Sequence, residues 1–293
     1  MPETQYDRDT QNVGNIIGLE HLNVTVPDQA LAALFYVTGL GFTRDPYIDF
    51  GTFNMWINIG SQQIHLPKQS PQVLRGTTGI NIPSLKSLEK RLIRLDKYFG
   101  DQLQNTLFSW QKDDQRIHIT CPWGNRFQCC EQELSGANSL GIAWIEVNVA
   151  QGTSDGISHF YQKILEAPSQ SRKDLCVVKI GRFQELRFRE TVDTLPDYDG
   201  HHIAIYLGNF SRPYKRLLDR GLITKESNQH EYRFENICDP GSGEVLATIE
   251  HEVRSMYHPM FARNLVNRNP QQTFSNYQAG ADAHIGKNQS GSA

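Results

Sequence analysis

Polar and apolar residues alternate along residues 18–27, which read Gly-Leu-Glu-His-Leu-Asn-Val-Thr-Val-Pro. A period of two residues is typical of a β-strand with one apolar and one polar face, and His21 falls on the polar face. Pro27 cannot continue the pairing of a central strand, and Asp28 is a common helix cap. The pattern therefore predicts a strand that is followed at once by a helix.

The same pattern recurs along the chain at a spacing of about 60 residues, which is too long for a solenoid repeat and suits one supersecondary unit. The equivalent positions in the four copies are His21, Gly79, Trp144 and His202. Each copy precedes a helical pattern and then three further strand patterns. In the first copy the helix is predicted at 28–38 and the strands at 42–48, 53–59 and 62–66. The sequence therefore predicts an α+β fold of four β-α-β-β-β modules.

The modules predict a chain in two halves. A polar stretch at 1–15 is interpreted as a disordered arm, and 16–132 as an N-terminal domain of two modules. Small and polar residues at 133–139 predict a linker. The C-terminal domain is predicted at 140–256, and the Asn-, Gln- and Gly-rich residues 257–293 as an extension that ends in a flexible tail.

Composition narrows the classes of function. The chain has 293 residues, a net charge of −3 and no concentrated basic patch, which argues against partners such as nucleic acid or a membrane surface. It has five cysteines without a CxxC pair, which favours a reducing, cytoplasmic location over a disulfide framework. The expected partner is a small molecule, and pairing of exposed sheet edges would give a homodimer.

The motifs "EHLNVTVPD" and "HHIAIYL" and the turns "CPWGN" and "DPGSG", taken with the fourfold module order, resemble the vicinal oxygen chelate superfamily. This superfamily includes glyoxalase I, fosfomycin- and bleomycin-resistance proteins, and extradiol dioxygenases. The resemblance covers residues 16–253. It implies two cupped mixed-sheet domains in tandem, one from the first two modules and one from the last two. It also implies a divalent metal ion inside a cup.

Family ligands come from the first and last strands of each module. For the N-terminal cup the resemblance points to His21, His65 and Gln128, with Gly79 at the fourth position. Two imidazoles and an oxygen ligand suit Fe(II), Mn(II) or Zn(II), and Gln is a weaker ligand than the Glu usual in the family. The alternative is that the two histidines line a polar cavity without a metal.

For the C-terminal cup the resemblance points to His202 and to Glu250 or Thr248. Trp144 and Arg187 occupy the other two ligand positions. Arg187 is expected to clamp a substrate carboxylate, and Trp144 to stack on an aromatic substrate. The alternatives are an intramolecular ion pair for Arg187 and a lost metal site at Trp144.

The segment 229–234 loosely resembles the part of extradiol dioxygenases that carries an acid/base histidine. The resemblance implies that His230 and Tyr232 are catalytic, because an imidazole can transfer a proton near neutral pH. The alternative for His230 is an exposed residue at the start of a strand. Tyr206 is a further predicted substrate-binding residue.

Two classes of function follow from this. The first is a metal-dependent enzyme, dioxygenase-like or glyoxalase-like (a lyase or isomerase), which acts on a small oxygen-rich or aromatic substrate. The second is a metal-free binding protein of the bleomycin-resistance type. The first requires His and Glu side chains that converge inside one cup, and the four-module length favours it.

Overall fold

The computed structural model describes residues 6–49, 53–131 and 140–265. The strands in these ranges are β1 Ile16–Asn23, β2 Thr43–Asp49, β3 Asn54–Ile59, β4 Gln62–Pro67, β5 Gly76–Ile82, β6 Ser109–Lys112, β7 Arg116–Thr120, β8 Arg126–Glu131, β9 Gly141–Ala150, β10 Ser169–Arg172, β11 Leu175–Lys179, β12 Glu185–Thr191, β13 His202–Leu207, β14 Ile223–Asn228, β15 Glu231–Cys238 and β16 Val245–Ser255. The α-helices are α1 Gln29–Ala33, α2 Leu85–Leu103, α3 Ser154–Phe160 and α4 Ser211–Leu218. The π-helical turns Leu34–Gly39 and Tyr161–Leu165 continue α1 and α3.

The strands form two eight-stranded mixed sheets, in the orders β14-β15-β16-β13-β1-β4-β3-β2 and β10-β11-β12-β9-β5-β8-β7-β6. Each sheet contains two β-α-β-β-β modules, in which the first and last strands run parallel. The modules join through antiparallel pairing of their first strands, β1 with β13 and β5 with β9. The predicted α+β fold of four modules in two cups is confirmed.

The modules that share a sheet are not neighbours along the chain. The first module pairs with the fourth, and we call this sheet the first cup; the second pairs with the third in the second cup. The prediction that 16–132 and 140–256 each form a cup is therefore wrong. The chain crosses between the sheets before β5 and again before β13. The two connecting segments form hydrogen bonds with each other. Asp199 accepts hydrogen bonds from Val73 N at 2.6 Å and, through its carbonyl, from Gln72 Nε2 at 2.7 Å.

Apolar faces of both sheets and the helices form one continuous core. As predicted, Asp28 caps α1, and its carboxylate accepts from Ala30 N at 2.8 Å and Leu31 N at 2.9 Å. Phe35, just after α1, lies 6.2 Å from Phe127 of the other sheet, measured between ring centroids. The helices thus lie between the sheets, and the polar faces of the cups point away from the core.

The N-terminal segment differs from the disordered arm that was predicted, as far as residues 6–15 are concerned. They include a 3-10 turn at Asp9–Gln11. Asn15 is buried, and its side-chain amide donates to Leu165 O and Asn209 O, both at 3.1 Å. Because these acceptors lie in the third and fourth modules, long-range hydrogen bonds order a segment whose local sequence is polar.

After β16 the chain continues as a strap, residues 256–265, across the first cup. The predicted linker 133–139 and the predicted tail beyond residue 265 lie outside the described residues. Every helix that the structure describes is too short or too polar to cross a bilayer.

His251 of β16 is fully buried on the core side of the first cup. Its Nδ1–H donates to Ile249 O at 2.8 Å, and its Nε2 accepts from the Tyr161 hydroxyl at 2.7 Å. Burial lowers the pKa of His251 to about 4, despite the opposing hydrogen bond to Ile249. The folded protein therefore holds this imidazole neutral where the unfolded chain protonates it.

The free energy of unfolding is expected to fall as pH drops from about 6.5, the unfolded-state pKa, through about 4. His251 contributes about 3 kcal/mol to this loss. Urea unfolding at pH 7.5, 6, 5 and 4 measures it, with His251→Gln as a variant that accepts a hydrogen bond but does not titrate in this range. If the free energy of unfolding changed equally with pH in the variant and the parent, the assignment of this loss to His251 would be contradicted.

Candidate metal centre

Three side chains of the first cup converge on one point. His21 on β1, His202 on β13 and Glu252 on β16 each present one ligand atom, and these atoms lie within 4.8 Å of one another. The pairing of β1, β13 and β16 in neighbouring positions produces this convergence, since Ala204 opposes both His21 and Glu252. Among the described residues, this is the group of His, Cys, Asp and Glu that meets the geometric requirement for a metal site.

His21 is oriented by a carboxylate behind it. Its Nδ1–H donates to Glu20 Oε2 at 2.9 Å, and Arg254 pairs with the same carboxylate oxygen. Burial alone raises the pKa of Glu20, but His21 and Arg254 hold it below its ordinary value. The other ring nitrogen, Nε2, is buried without a hydrogen-bond partner. A carboxylate that fixes one imidazole nitrogen and leaves the other as a free lone pair is the usual arrangement behind a metal-binding histidine.

His65 supports His21 rather than joining the group of three. The His65 ring stacks between His21 and Trp56, with both centroid distances 3.7 Å. Its Nε2 lies 3.1 Å from Gln63 Oε1. Burial and then the neighbouring His21 and Arg254 lower the pKa of His65 well below its ordinary value, so it packs as a neutral ring.

The group lies inside a network of buried ion pairs. Arg233 donates to Glu250 at 2.6 Å and also pairs with Glu252, which Arg254 contacts as well. Burial raises the pKa of Glu252, but His202, His21 and the two guanidinium groups together hold it well below its ordinary range. Glu252 is therefore a carboxylate, the form that binds a metal ion.

The charge balance of this network depends on the histidines that it contains. Its carboxylates and guanidinium groups are Glu20, Glu231, Glu250, Glu252, Arg233 and Arg254. When His21 and His202 are neutral, the form in which an imidazole binds a metal ion, these groups carry two more negative than positive charges. Buried charge without compensation is costly, and one divalent cation would neutralise it.

The site is closed at one end and more accessible at the other. The His21 side chain is 1% exposed, whereas His202 is 14% and Glu250 19% exposed. His202 lies between two carboxylates, with Nδ1 3.4 Å from Glu250 and Nε2 3.5 Å from Glu252. Burial lowers the pKa of His202 although Glu252 opposes this. A small molecule would approach from the Glu250 end.

The strap covers the closed end. Arg263 forms a buried ion pair with Asp45 of β2, and its guanidinium lies 5.9 Å from the Trp56 ring centroid. Phe261 contacts Tyr206 edge to face at 5.0 Å. Residues 257–265 of the predicted C-terminal extension therefore pack as part of the first cup. Tyr206, predicted to bind substrate, contacts the strap in this structure.

The structure divides the predicted site residues between the two cups differently from the prediction. His21 and His65 were assigned to one cup, and His202 and Glu250 to the other, yet all four meet in the first cup. Gln128, predicted as the third N-terminal ligand, lies instead on β8 in the second cup. Its described hydrogen bond is to Cys130 Sγ, at 3.9 Å.

Trp144 and Arg187 also lie in the second cup, where Arg187 stacks over the Trp144 ring at 4.6 Å. His230 is half-buried in the turn between β14 and β15, and its backbone contacts Asn228 and Ser255. Tyr232 is buried against Phe210 and Tyr214. Tyr232 alternates along β15 with Glu231 and Arg233, so its ring faces the helices, away from His21, His202 and Glu252.

Several residues of the site were not predicted from sequence: Glu20, Glu252, Arg233 and Arg254. The signal that was available is Glu250-x-Glu252-x-Arg254, an alternation that places three charged residues on one face of β16. Charged residues on one face of a long strand, opposite apolar neighbours, indicate a buried polar cluster when a second sheet element covers them.

No protein-family model matches the sequence, and no curated protein matches it. Solved structures do match. A putative dioxygenase from Bacillus subtilis subsp. subtilis str. 168 is 15% identical, with 89% of each chain covered and a TM-score of 0.58. Glyoxalase I from Zea mays is 12% identical, with 81% of this chain and 92% of the maize chain covered and a TM-score of 0.57. At these identities the likeness concerns the fold.

Proposed function

We propose, from the premise that this chain has the vicinal oxygen chelate fold, that the first cup holds a divalent metal ion at the active centre of an enzyme. The observation that carries the proposal is the convergence of His21, His202 and Glu252 within 4.8 Å. The substrate is a small oxygen-rich or aromatic molecule, which would enter at the more accessible Glu250 end of the site.

The residues present fit a divalent metal. Two imidazoles and one carboxylate form a donor set used by both Fe(II) and Zn(II) enzymes. The unpartnered Nε2 of His21 is a buried polar atom that a ligand would satisfy. With both imidazoles neutral, as metal ligands must be, the surrounding network carries two excess negative charges, which a 2+ ion would balance.

A bound divalent ion would act as a Lewis acid towards substrate oxygen atoms. The protein's own groups then have distinct roles. Glu20 and Arg254 hold the His21 ring in one tautomer. Glu250, at the accessible end, is the carboxylate placed to take a proton from the substrate, and Arg233 at 2.6 Å positions it. The strap and the Trp56 ring exclude water from the closed end.

Two reaction types use such a site, and each has an observation in its favour. Two histidines with one carboxylate are typical of Fe(II) oxygenases, which favours a dioxygenase-like reaction. Glu250 beside the metal ligands favours proton transfer, as in a glyoxalase-like isomerase or lyase. The metal that restores catalytic activity to metal-free protein will distinguish the two reaction types. Redox-inactive Zn(II) can support the proton transfer of an isomerase or lyase but not the dioxygenase-like reaction.

Metal content is the first test. Chelator-treated protein is incubated with Fe(II) under anaerobic conditions, Mn(II) or Zn(II), freed of excess ion by gel filtration and assayed by elemental analysis. We expect about one ion per chain and a raised thermal midpoint, since a ligand at 100-fold its Kd stabilises the folded state by about 2.7 kcal/mol.

Glu252→Gln tests the carboxylate, and Gln128→Ala in the second cup is the matched control. We expect Glu252→Gln to lose metal and the thermal shift, and Gln128→Ala to keep both. Failure of all three metals to bind the parent protein would refute the metal proposal and support the metal-free binding protein instead.

A further inference from the structure

The second cup has different side chains at the positions that correspond to His21, His202 and Glu252. In the strand pairing that makes Trp144 equivalent to His202, Thr77 is equivalent to His21, because Thr77 opposes Glu146 as His21 opposes Ala204. Gly79 opposes Trp144 as Asn23 opposes His202, so the sequence-based match of Gly79 with His21 is wrong. Trp144 opposes Glu185 on β12 as His202 opposes Glu250 on β16. Two residues further along, Arg187 therefore takes the place of Glu252. Where the first cup has two imidazoles and a carboxylate, the second has the hydroxyl of Thr77, an indole and a guanidinium group.

Two of these replacements, Trp144 and Arg187, pack on each other beside Gly79. The Trp144 indole lies so close to Gly79 that a β-carbon there would be 2.0 Å from its ring. Arg187 covers the other side of the indole, at 4.6 Å from its centroid, which is a cation–π contact. The indole is therefore in contact both with the backbone of β5 and with a cation.

A cavity of about 640 Å³ opens beside this stack, within the size range of small-molecule sites. Residues 10–13 of the N-terminal segment line one wall, and Phe183 and Ala143 add apolar surface. The cavity is thus covered by a chain terminus, as the first cup is covered by the strap.

The charges on the cavity wall favour an anion. Arg187 Nε and Nη2 donate to Glu185, at 2.8 and 2.5 Å, which leaves its Nη1 hydrogens for a further acceptor. Glu131, the other acid on the wall, is turned to the start of α2, where it accepts from Leu85 N at 3.0 Å. The remaining cations, Lys179 and Arg182, have no acidic partner among the ion pairs of the described residues.

We propose that the second cup is a binding site for a small organic carboxylate with an apolar body, and that Arg187 supplies the fixed positive charge. The carboxylate meets the free edge of the guanidinium group and the two rim cations. The apolar body lies against Phe183, Ala143 and the edge of Trp144. This site is distinct from the metal centre and does not depend on it.

The test follows 4-fluorobenzoate by ¹⁹F NMR in the presence of the full-length protein, with 4-fluorobenzyl alcohol as the uncharged analogue. We expect line broadening for the acid and not for the alcohol. Arg187→Met is expected to weaken binding about tenfold or more, the equivalent of one charge-assisted hydrogen bond. Chelation of metal should leave binding unchanged.

Arg189→Met is the matched control, because Arg189 lies on the same face of β12 but pairs with Asp174 and Glu146 outside the cavity. It should bind 4-fluorobenzoate like the parent. Thermal unfolding checks that both variants are folded. Equal binding by Arg187→Met and the parent, or no binding of 4-fluorobenzoate by the parent at about 10 mM, a concentration at which even millimolar affinity is visible, would overturn the proposal.

Discussion

Replacing either His21 or His202 with alanine is expected to remove the bound metal from the protein. Each imidazole is one of three side chains whose ligand atoms lie within 4.8 Å. Loss of a group behind a ligand typically costs 10- to 100-fold in metal affinity, so loss of a ligand itself should cost about 100-fold or more. Elemental analysis after gel filtration, and a titration followed by thermal unfolding, measure the change.

The metal content of these two variants distinguishes two arrangements: the observed sheet pairing, and an arrangement in which modules that are neighbours along the chain share a cup. If His21 and His202 served separate cups, each single variant would leave the other site intact. Because both lie in the first cup, each variant alone should abolish binding. His118→Ala, which removes a partly exposed histidine of the second sheet, is the control and should keep its metal. A metal-containing His202→Ala protein would contradict the three-ligand site.

Replacing Arg254 with methionine is expected to destabilise the metal-free protein by about 3–5 kcal/mol, the range seen when one partner of a buried ion pair is removed. Arg254 is 6% exposed and contacts Glu20 and Glu252. The pKa of Arg254 is raised, since these carboxylates outweigh the effect of burial. Methionine keeps the aliphatic bulk and leaves two buried carboxylates without this counter-charge. Urea unfolding at pH 7.5 measures the change.

Arg189→Met serves as the comparison. Arg189 is 38% exposed, and exposed ion pairs contribute less than about 1 kcal/mol. Excess divalent metal should restore part of the stability of Arg254→Met, because a cation near Glu252 replaces some of the lost charge. An Arg254→Met protein as stable as Arg189→Met would show that the network is not a buried electrostatic unit.

The alternation of side chains between the two faces of a strand explains which site residues could be predicted from the sequence. His21 and His202 stand on polar faces of alternating strands, and both belong to the centre that we propose. The same alternation places Tyr232 on the face of β15 opposite to Glu231 and Arg233, and therefore away from the centre that we propose. The sequence points to Glu250 rather than Glu252 because it does not set the register of β1 against β13. In the structure Ala204 opposes both His21 and Glu252, and this pairing places Glu252 in the group with the two histidines.

The sequence by itself determined the local elements: the alternating strands, the cap at Asp28 and the fourfold order of modules. These depend on residues that are near one another in the chain, so a period and a cap predict them. Only the tertiary structure decided which modules share a cup. Antiparallel pairing of β1 with β13 joins residues about 180 positions apart. No local pattern encodes that choice, yet it brings His21, His202 and Glu252 together.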